Sequence, residues 1–290
     1  MPLGPDAHCL DSIGPYVVEA RLGRGSIGEV YRARDPRTGQ SLAIKTLALG
    51  NELTGEARDE ARRRFAHEAL AAGRLKHPDI VAVLGSGEAH GLAWMAMEFL
   101  PGRDLSQRAA PGRLLPVADV LRIGARVAEA LAYAHRQGVL HRDVKPANVV
   151  VDLAADSIKL TDFGIARIAD DARRTRTGML LGTPAYMSPE QIAGQQLDGR
   201  SDLYSLGVML FQLLCGRLPH EAGSMAEQMR QIAQQQAPDI RSLRPELPAA
   251  LAGVVAQALE KRPESRPADG DRMALALRTG AGPVPGPAPA

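Results

Sequence analysis

Alternation of apolar and polar positions marks the first third of the chain. Tyr16-Val17-Val18-Glu19-Ala20-Arg21-Leu22 reads as a strand that enters a glycine-rich turn, and alternation resumes over Glu29-Val30-Tyr31-Arg32-Ala33. Asp35-Pro36-Arg37-Thr38-Gly39 carries turn chemistry, after which Ser41 to Leu47 supplies another strand. Arg58 to Lys76 has no proline and one glycine, is rich in Ala, Arg and Glu, and is predicted to be a helix ending before His77-Pro78. Ile80 to Gly87 and Leu92 to Leu100 follow as a strand pair around Glu88-Ala89-His90-Gly91.

From Leu105 onward the period becomes helical. Val117 to Arg136 places Val120, Leu121, Val127, Leu131 and Ala134 on one face and stops at Gly138. Val139-Leu140 and Val149 to Val151 are expected as short strands flanking a polar loop, with Ile158 to Leu160 as a further strand. Ser201 to Cys215 is the most apolar helix, and helices are expected around Met225 to Gln235, Ala249 to Lys261 and Ala268 to Arg278. Residues 1–15 read as a flexible leader and 279–290, Pro/Gly/Ala-rich, as a disordered tail.

Composition narrows the class. With 290 residues, 45% of them hydrophobic, the chain can form one large domain or two packed lobes. Thirty-five Lys and Arg against 33 Asp and Glu give +2, too balanced for wholesale nucleic-acid or membrane binding. Cys9 and Cys215 stand far apart, which argues against a disulfide framework and fits a reducing cytosol. No signal peptide opens the chain, and the apolar run from Leu203 to Cys215 is too short for a membrane span, so a soluble, cytoplasmic protein is expected.

The polar residues cluster in His141-Arg142-Asp143-Val144-Lys145-Pro146-Ala147-Asn148, with Asp162-Phe163-Gly164 beginning fourteen residues after Asn148. Asp143 can accept or steer a hydroxyl proton, and Lys145 can neutralise a transferring phosphoryl group. Asn148 and Asp162 can hold a hard cation through oxygen. Together these side chains describe metal-assisted phosphoryl transfer. Taken singly, His141 reads as a packed, hydrogen-bonded histidine and Asp162 as a turn residue.

This stretch resembles the catalytic loop of protein kinases, and Lys145 to Asn148 resembles that of the serine/threonine branch. Gly23-Arg24-Gly25-Ser26-Ile27-Gly28 is weak taken alone, since a plain hairpin reads equally well. The strand that follows it, rather than a helix, disfavours a dinucleotide fold. The resemblance implies a flap over nucleotide phosphates formed by Leu22 to Val30, with Val30 and Ala43 capping adenine. Lys45 in Ala43-Ile44-Lys45 reads singly as a solvated strand lysine, but the resemblance makes it the phosphate anchor, held by Glu68 of the Arg58 to Lys76 helix. Met97-Glu98-Phe99-Leu100 resembles the hinge, where the backbone of Glu98 and Leu100 would bind adenine and Met97 would guard the back of the pocket. Met97 and Phe99 read equally as core residues of an edge strand. Val150 would form the floor under adenine.

Residues 162–190 resemble the activation segment. Thr175 and Thr177 are placed where a phosphoryl group would meet Arg142, and Thr183 would line the substrate groove. Ser188 stands where the family usually has Ala before Pro-Glu. Among structural residues, His141 would support the loop, and Glu190 would pair with Arg266. Asp202 would brace the catalytic loop or serve as a plain helix cap.

The resemblance covers residues 16–278 and implies an α+β, two-lobed protein kinase-like fold. A small antiparallel β lobe with one helix (16–100) would join a larger, mainly helical lobe (101–278), with ATP in the cleft. Expected cofactors are ATP and Mg2+, with Mn2+ as an alternative. Expected partners are proteins bearing Ser or Thr, with a homodimer for trans-autophosphorylation left open, no nucleic acid and no membrane segment in this chain. A pseudokinase would be recognised by the loss of one of these polar groups, and none is missing. A small-molecule phosphotransferase would lack the segment 182–190 and the helices after it. A structural interaction domain would leave Asp143, Lys145, Asn148 and Asp162 without a common purpose.

Overall fold

A computed structural model describes residues 11–24, 28–48, 55–89, 91–163 and 184–279. The described chain divides into two units: one formed by residues up to 76 together with 82–100, the other by 77–81, 101–163 and 184–279.

The first unit is built on an antiparallel sheet of β1 (Ser12–Ile13), β2 (Tyr16–Arg24), β3 (Glu29–Arg34), β4 (Ser41–Ala48), β5 (Val83–Ala89) and β6 (Leu92–Glu98), in the order β1-β2-β3-β4-β6-β5. The alternation in sequence is what gives this sheet one buried face. Ile13, Tyr16, Tyr31, Ala33, Leu42, Ile44, Trp94 and Ala96 form a cluster on it, with Tyr16 edge-on to Trp94 at 5.6 Å between ring centroids. Helix α1 (Glu56–Gly73) packs against β5 and β6 and buries Phe65, Ala69 and Ala72.

Three expectations are corrected here. Ser12–Ile13 is not loose leader: Ile13 is buried and pairs with Tyr16, because one apolar side chain completes the sheet's inner face. Ile80 and Val81 do not open β5. They meet Leu160 of the second unit, through the Ile80–Leu160 bridge and the Val81 N–H to the Leu160 carbonyl at 3.0 Å. The strand carrying Met97 is also interior, since β6 lies between β4 and β5.

The second unit is mainly helical. Helix α2 (Val117–Arg136) packs against the helices Gly199–Cys215 and Gly270–Thr279. Its inner face is Val120, Ile123, Gly124, Val127, Leu131 and Ala134, while Leu121 is only half-buried. The 3.6-residue period from Val120 selects Ile123 and Gly124 instead. Gly138, at φ 75°, follows the helix in the left-handed conformation common just past a helix end. The Gly199–Cys215 helix is buried nearly all round, each full Leu or Val burial being worth about 1.5–3 kcal/mol.

A three-stranded sheet of β7 (Arg103–Asp104), β8 (Val149–Asp152) and β9 (Ser157–Leu160) frames the polar loop. Val139-Leu140 is not a strand: the Val139 N–H turns back to the Ala134 carbonyl at the helix end, 3.0 Å away.

Candidate active site

The polar loop hangs from helix α2 and descends to β8. Arg142 in this loop, at φ 67°, and Asp162 just after β9, at φ 64°, adopt a left-handed backbone that costs a non-glycine residue about 1–3 kcal/mol. Such conformations persist where surrounding contacts over-determine them, and those contacts are present around Arg142. The buried carboxylate of Asp202 accepts the N–H of His141 at 2.9 Å and that of Arg142 at 2.7 Å, and lies 2.7 Å from His135 Nε2. Burial pushes the Asp202 carboxyl up. The His135 hydrogen bond and charge and the backbone donor outweigh it and hold the group below the usual carboxylate range. Asp202 is no plain cap, because Asp198 caps this helix through the Arg200 N–H.

His141 is fully buried and joins the loop to the residue that follows β9. Its Nδ1 accepts the Asp143 N–H at 3.2 Å, so the ring proton sits on Nε2 and donates to the Thr161 carbonyl at 2.8 Å. The ring also packs at a tilt against Phe163, with centroids 4.6 Å apart. Thr161 in turn donates its N–H to the Asn148 carbonyl at 2.9 Å, which ties the approach to Asp162 to the end of the loop.

At the centre, Asn148 Nδ2 donates to the Asp143 carbonyl at 2.7 Å and to Asp143 Oδ2 at 2.9 Å. Lys145 Nζ lies 2.8 Å from the same Oδ2. The Asn148 amide is thereby oriented with its nitrogen on Asp143, which leaves its oxygen as the atom that can ligate a cation. Among the described residues no cluster of three or more His, Cys, Asp or Glu forms a ready-made metal cage. One amide oxygen and one carboxylate instead suit an octahedral cation that takes its other ligands from phosphates and water.

The residue pattern of the protein kinase domain matches residues 16–276. The chain belongs to the protein kinase family. Within it the similarity is to bacterial serine/threonine kinases. The serine/threonine-protein kinase PknJ of Mycobacterium tuberculosis is 43% identical over 257 residues, covering 87% of this chain and 43% of PknJ. The kinase pkn3 of Myxococcus xanthus is 40% identical over 273 residues, covering 91% of this chain and 49% of pkn3. The chain thus spans less than half the length of these two relatives. The crystal structure of the M. tuberculosis PknI kinase domain superposes with a TM-score of 0.75 at 36% identity, covering 93% of this chain and 98% of that one. A protein kinase domain implies ATP binding.

In the first unit of the kinase domain, Lys45 sits in β4 between Val30 on β3 and Met95 on β6. Ala43 lies two residues before it, paired with Arg32 and Met97. Leu22 is exposed on β2, and Gly23 pairs with Val30, as does Arg24 with Glu29. Two loop glycines differ in what holds them: a Cβ on Gly28 would fall 1.6 Å from the Thr46 carbonyl oxygen, whereas one on Gly23 meets nothing within 4 Å among the described residues. Gly28 is therefore required by the close approach of β4, and Gly23 is available for a ligand reason. The Glu98 N–H is committed to the Ala82 carbonyl at 2.9 Å, so a contact from that residue's backbone to adenine falls to its carbonyl. Leu100 ends the first unit, half-buried; Val150 in the second lies in β8 opposite Asp104 and Lys159.

Gly25, Ser26, Ile27, Thr175, Thr177 and Thr183 lie outside the described residues. Glu68 falls within α1, but its side chain also lies outside them.

Glu190 and Arg266 meet in a buried bidentate pair at 2.6 and 2.8 Å, and the Ser201 hydroxyl donates to Glu190 at 2.7 Å. Burial raises the Glu190 carboxyl, and the Arg266 contacts more than reverse it, so the group lies below its usual range. His135, Ser201 and Gln191 were not expected from sequence. Ser188-Pro189-Glu190-Gln191 carries a capping-box pattern, Ser followed three residues on by Gln, that marks Gln191.

Proposed function

We propose that this chain is a serine/threonine protein kinase that transfers the γ-phosphoryl group of ATP to protein hydroxyls, with Asp143 accepting the hydroxyl proton. The observation that carries this reading is the two-sided hold on Asp143 Oδ2 by Lys145 and Asn148. Both contacts fall on one oxygen, so the other is the acceptor for the substrate O–H. Lys145 stays beside the carboxylate and can offset charge on the phosphoryl group as it moves. Asn148 and Asp162 would hold Mg2+, which supplies charge neutralisation to the nucleotide phosphates. Lys45, with Glu68 as its partner, anchors those phosphates, the flap from Leu22 to Val30 covers them, and Met97, Glu98, Leu100, Ala43 and Val150 receive adenine.

Thr175 and Thr177 are the proposed autophosphorylation sites, with Arg142 as the group their phosphates dock on, and Thr183 borders the substrate. Transfer between two copies of the chain would deliver that modification. Among the described residues no helix is long and apolar enough to cross a membrane, and dependence on ATP argues for action in the cytoplasm.

The test is transfer from γ-labelled Mg-ATP to a generic basic protein, with the products mapped by mass spectrometry. Phosphoserine or phosphothreonine supports the reading, and label confined to tyrosine contradicts it.

A further inference from the structure

Arg142 is the residue through which the chain enters Asp143, and its left-handed backbone is gripped at both ends. Its N–H is taken by Asp202, at 2.7 Å. Its carbonyl accepts a hydrogen bond from Gln191 Nε2 at 2.9 Å. Gln191 lies forty-nine residues further along the sequence, in the single helical turn Pro189–Ile192. Its amide cannot rotate to other uses: Oε1 accepts the Ser188 N–H at 2.9 Å, which forces Nε2 toward Arg142. Ser188 is fully buried and completes the box by accepting the Gln191 N–H on its hydroxyl at 3.3 Å.

The geometry points to Gln191 as a positioning residue for phosphoryl transfer: its amide pins the Arg142 carbonyl while Asp202 pins the Arg142 N–H, fixing the peptide that aims Asp143. This rests on Asp143 being the proton acceptor. The turn 189–192 also carries Glu190, locked to Arg266, so the anchor of Gln191 is itself rigid. A side chain whose oxygen closes a capping box and whose nitrogen holds the catalytic loop links the end of the activation segment to the loop.

Two substitutions separate positioning from helix capping. Gln191→Glu keeps an oxygen for the Ser188 N–H but sets a second carboxylate oxygen against the Arg142 carbonyl, removing the donor. Ser188→Ala removes the hydroxyl cap but keeps the backbone N–H that orients Gln191. The expected result for Gln191→Glu is a kcat lower by about tenfold with KM for ATP within about twofold and a small change in melting temperature. Ser188→Ala is expected to lower the melting temperature while kcat stays within about twofold. Hydrogen exchange of the peptide containing 141–143 provides a readout independent of turnover, faster in Gln191→Glu than in Ser188→Ala or the unsubstituted protein. If kcat in the two variants falls only in step with their melting temperatures, or exchange at 141–143 is the same in all three proteins, the positioning role is overturned. If the unsubstituted protein transfers no phosphate, the kinase reading fails, and exchange alone decides whether Gln191 holds the loop.

Discussion

The carboxylate of Asp202 lies within hydrogen-bonding distance of the backbone N–H groups of both His141 and Arg142, at 2.9 and 2.7 Å, from inside a helix sixty residues further along the chain. A buried charge so held is stabilising only while its donors stay in place. Replacing it by Asn keeps the volume but puts an amide where a charge faced backbone donors and His135. Asp202→Asn should lower stability by about 3 kcal/mol and reduce kcat at least tenfold. Urea denaturation and steady-state kinetics on the variant check both.

The acid limb of stability follows from the same group. Its folded pKa is below the ordinary carboxylate value, so Asp202 contributes stability above about pH 4 and loses it as pH falls through the folded value. Glu190 has the same sign for the same reason, an Arg266 partner in a buried site. Denaturation curves between pH 6 and 3 should therefore show a slope that flattens in Asp202→Asn.

His220 adds to the same loss of stability toward acid, beginning at a higher pH. It is buried beside Lys261, whose Nζ lies 3.1 Å from His220 Nε2, and burial followed by that charge pushes the imidazole down to about 4. Protonation is thus disfavoured in the folded state, so stability is intact above pH 6.5 and falls as pH drops from there toward 4. His220→Asn should remove a loss of order 2 kcal/mol between pH 7 and 4.5, measured by chemical denaturation.

Breaking the Glu190–Arg266 pair strands a charge in the core. Arg266→Ala should cost about 3–5 kcal/mol, and Arg266→Lys should fail to restore it, because a single ammonium cannot reproduce the fork that also reaches the Glu260, Lys261 and Arg200 carbonyls. Thermal melts of the two variants distinguish this from a simple requirement for positive charge.

Gly28→Ala and Gly23→Ala should part company. The first drives a methyl into the Thr46 carbonyl and should destabilise the sheet, which Trp94, the one tryptophan in the sequence, reports by fluorescence. Gly23→Ala should leave that unfolding transition in place and raise KM for ATP several-fold.

Most of the fold was legible because alternation and helical period are local signals. β2 to β4, α2 and the Gly199–Cys215 helix lie close to where their side-chain patterns point. What was not legible depends on partners distant in sequence. Ile80 and Val81 have strand-like side chains, but their hydrogen bonds go to Leu160, and nothing within 80–87 announces that. Val139-Leu140 looks like a strand and has no neighbouring one among the described residues. At the site, Asp143, Lys145, Asn148 and Asp162 stand out because their types and spacing share one chemistry. His135 was hidden because its task is to hold Asp202, a contact across sixty-seven residues. Gln191 carried a visible capping signature, yet its second bond, to Arg142, emerges only from the folded chain.

The most direct test of the central claim is single-turnover phosphoryl transfer from Mg-ATP by the purified protein and by Asp143→Asn, with thermal melts of both. If Asp143 accepts the hydroxyl proton, the variant melts near the unsubstituted protein and its transfer rate falls by about 10²–10⁴. Transfer at an undiminished rate in a folded Asp143→Asn protein would contradict the account.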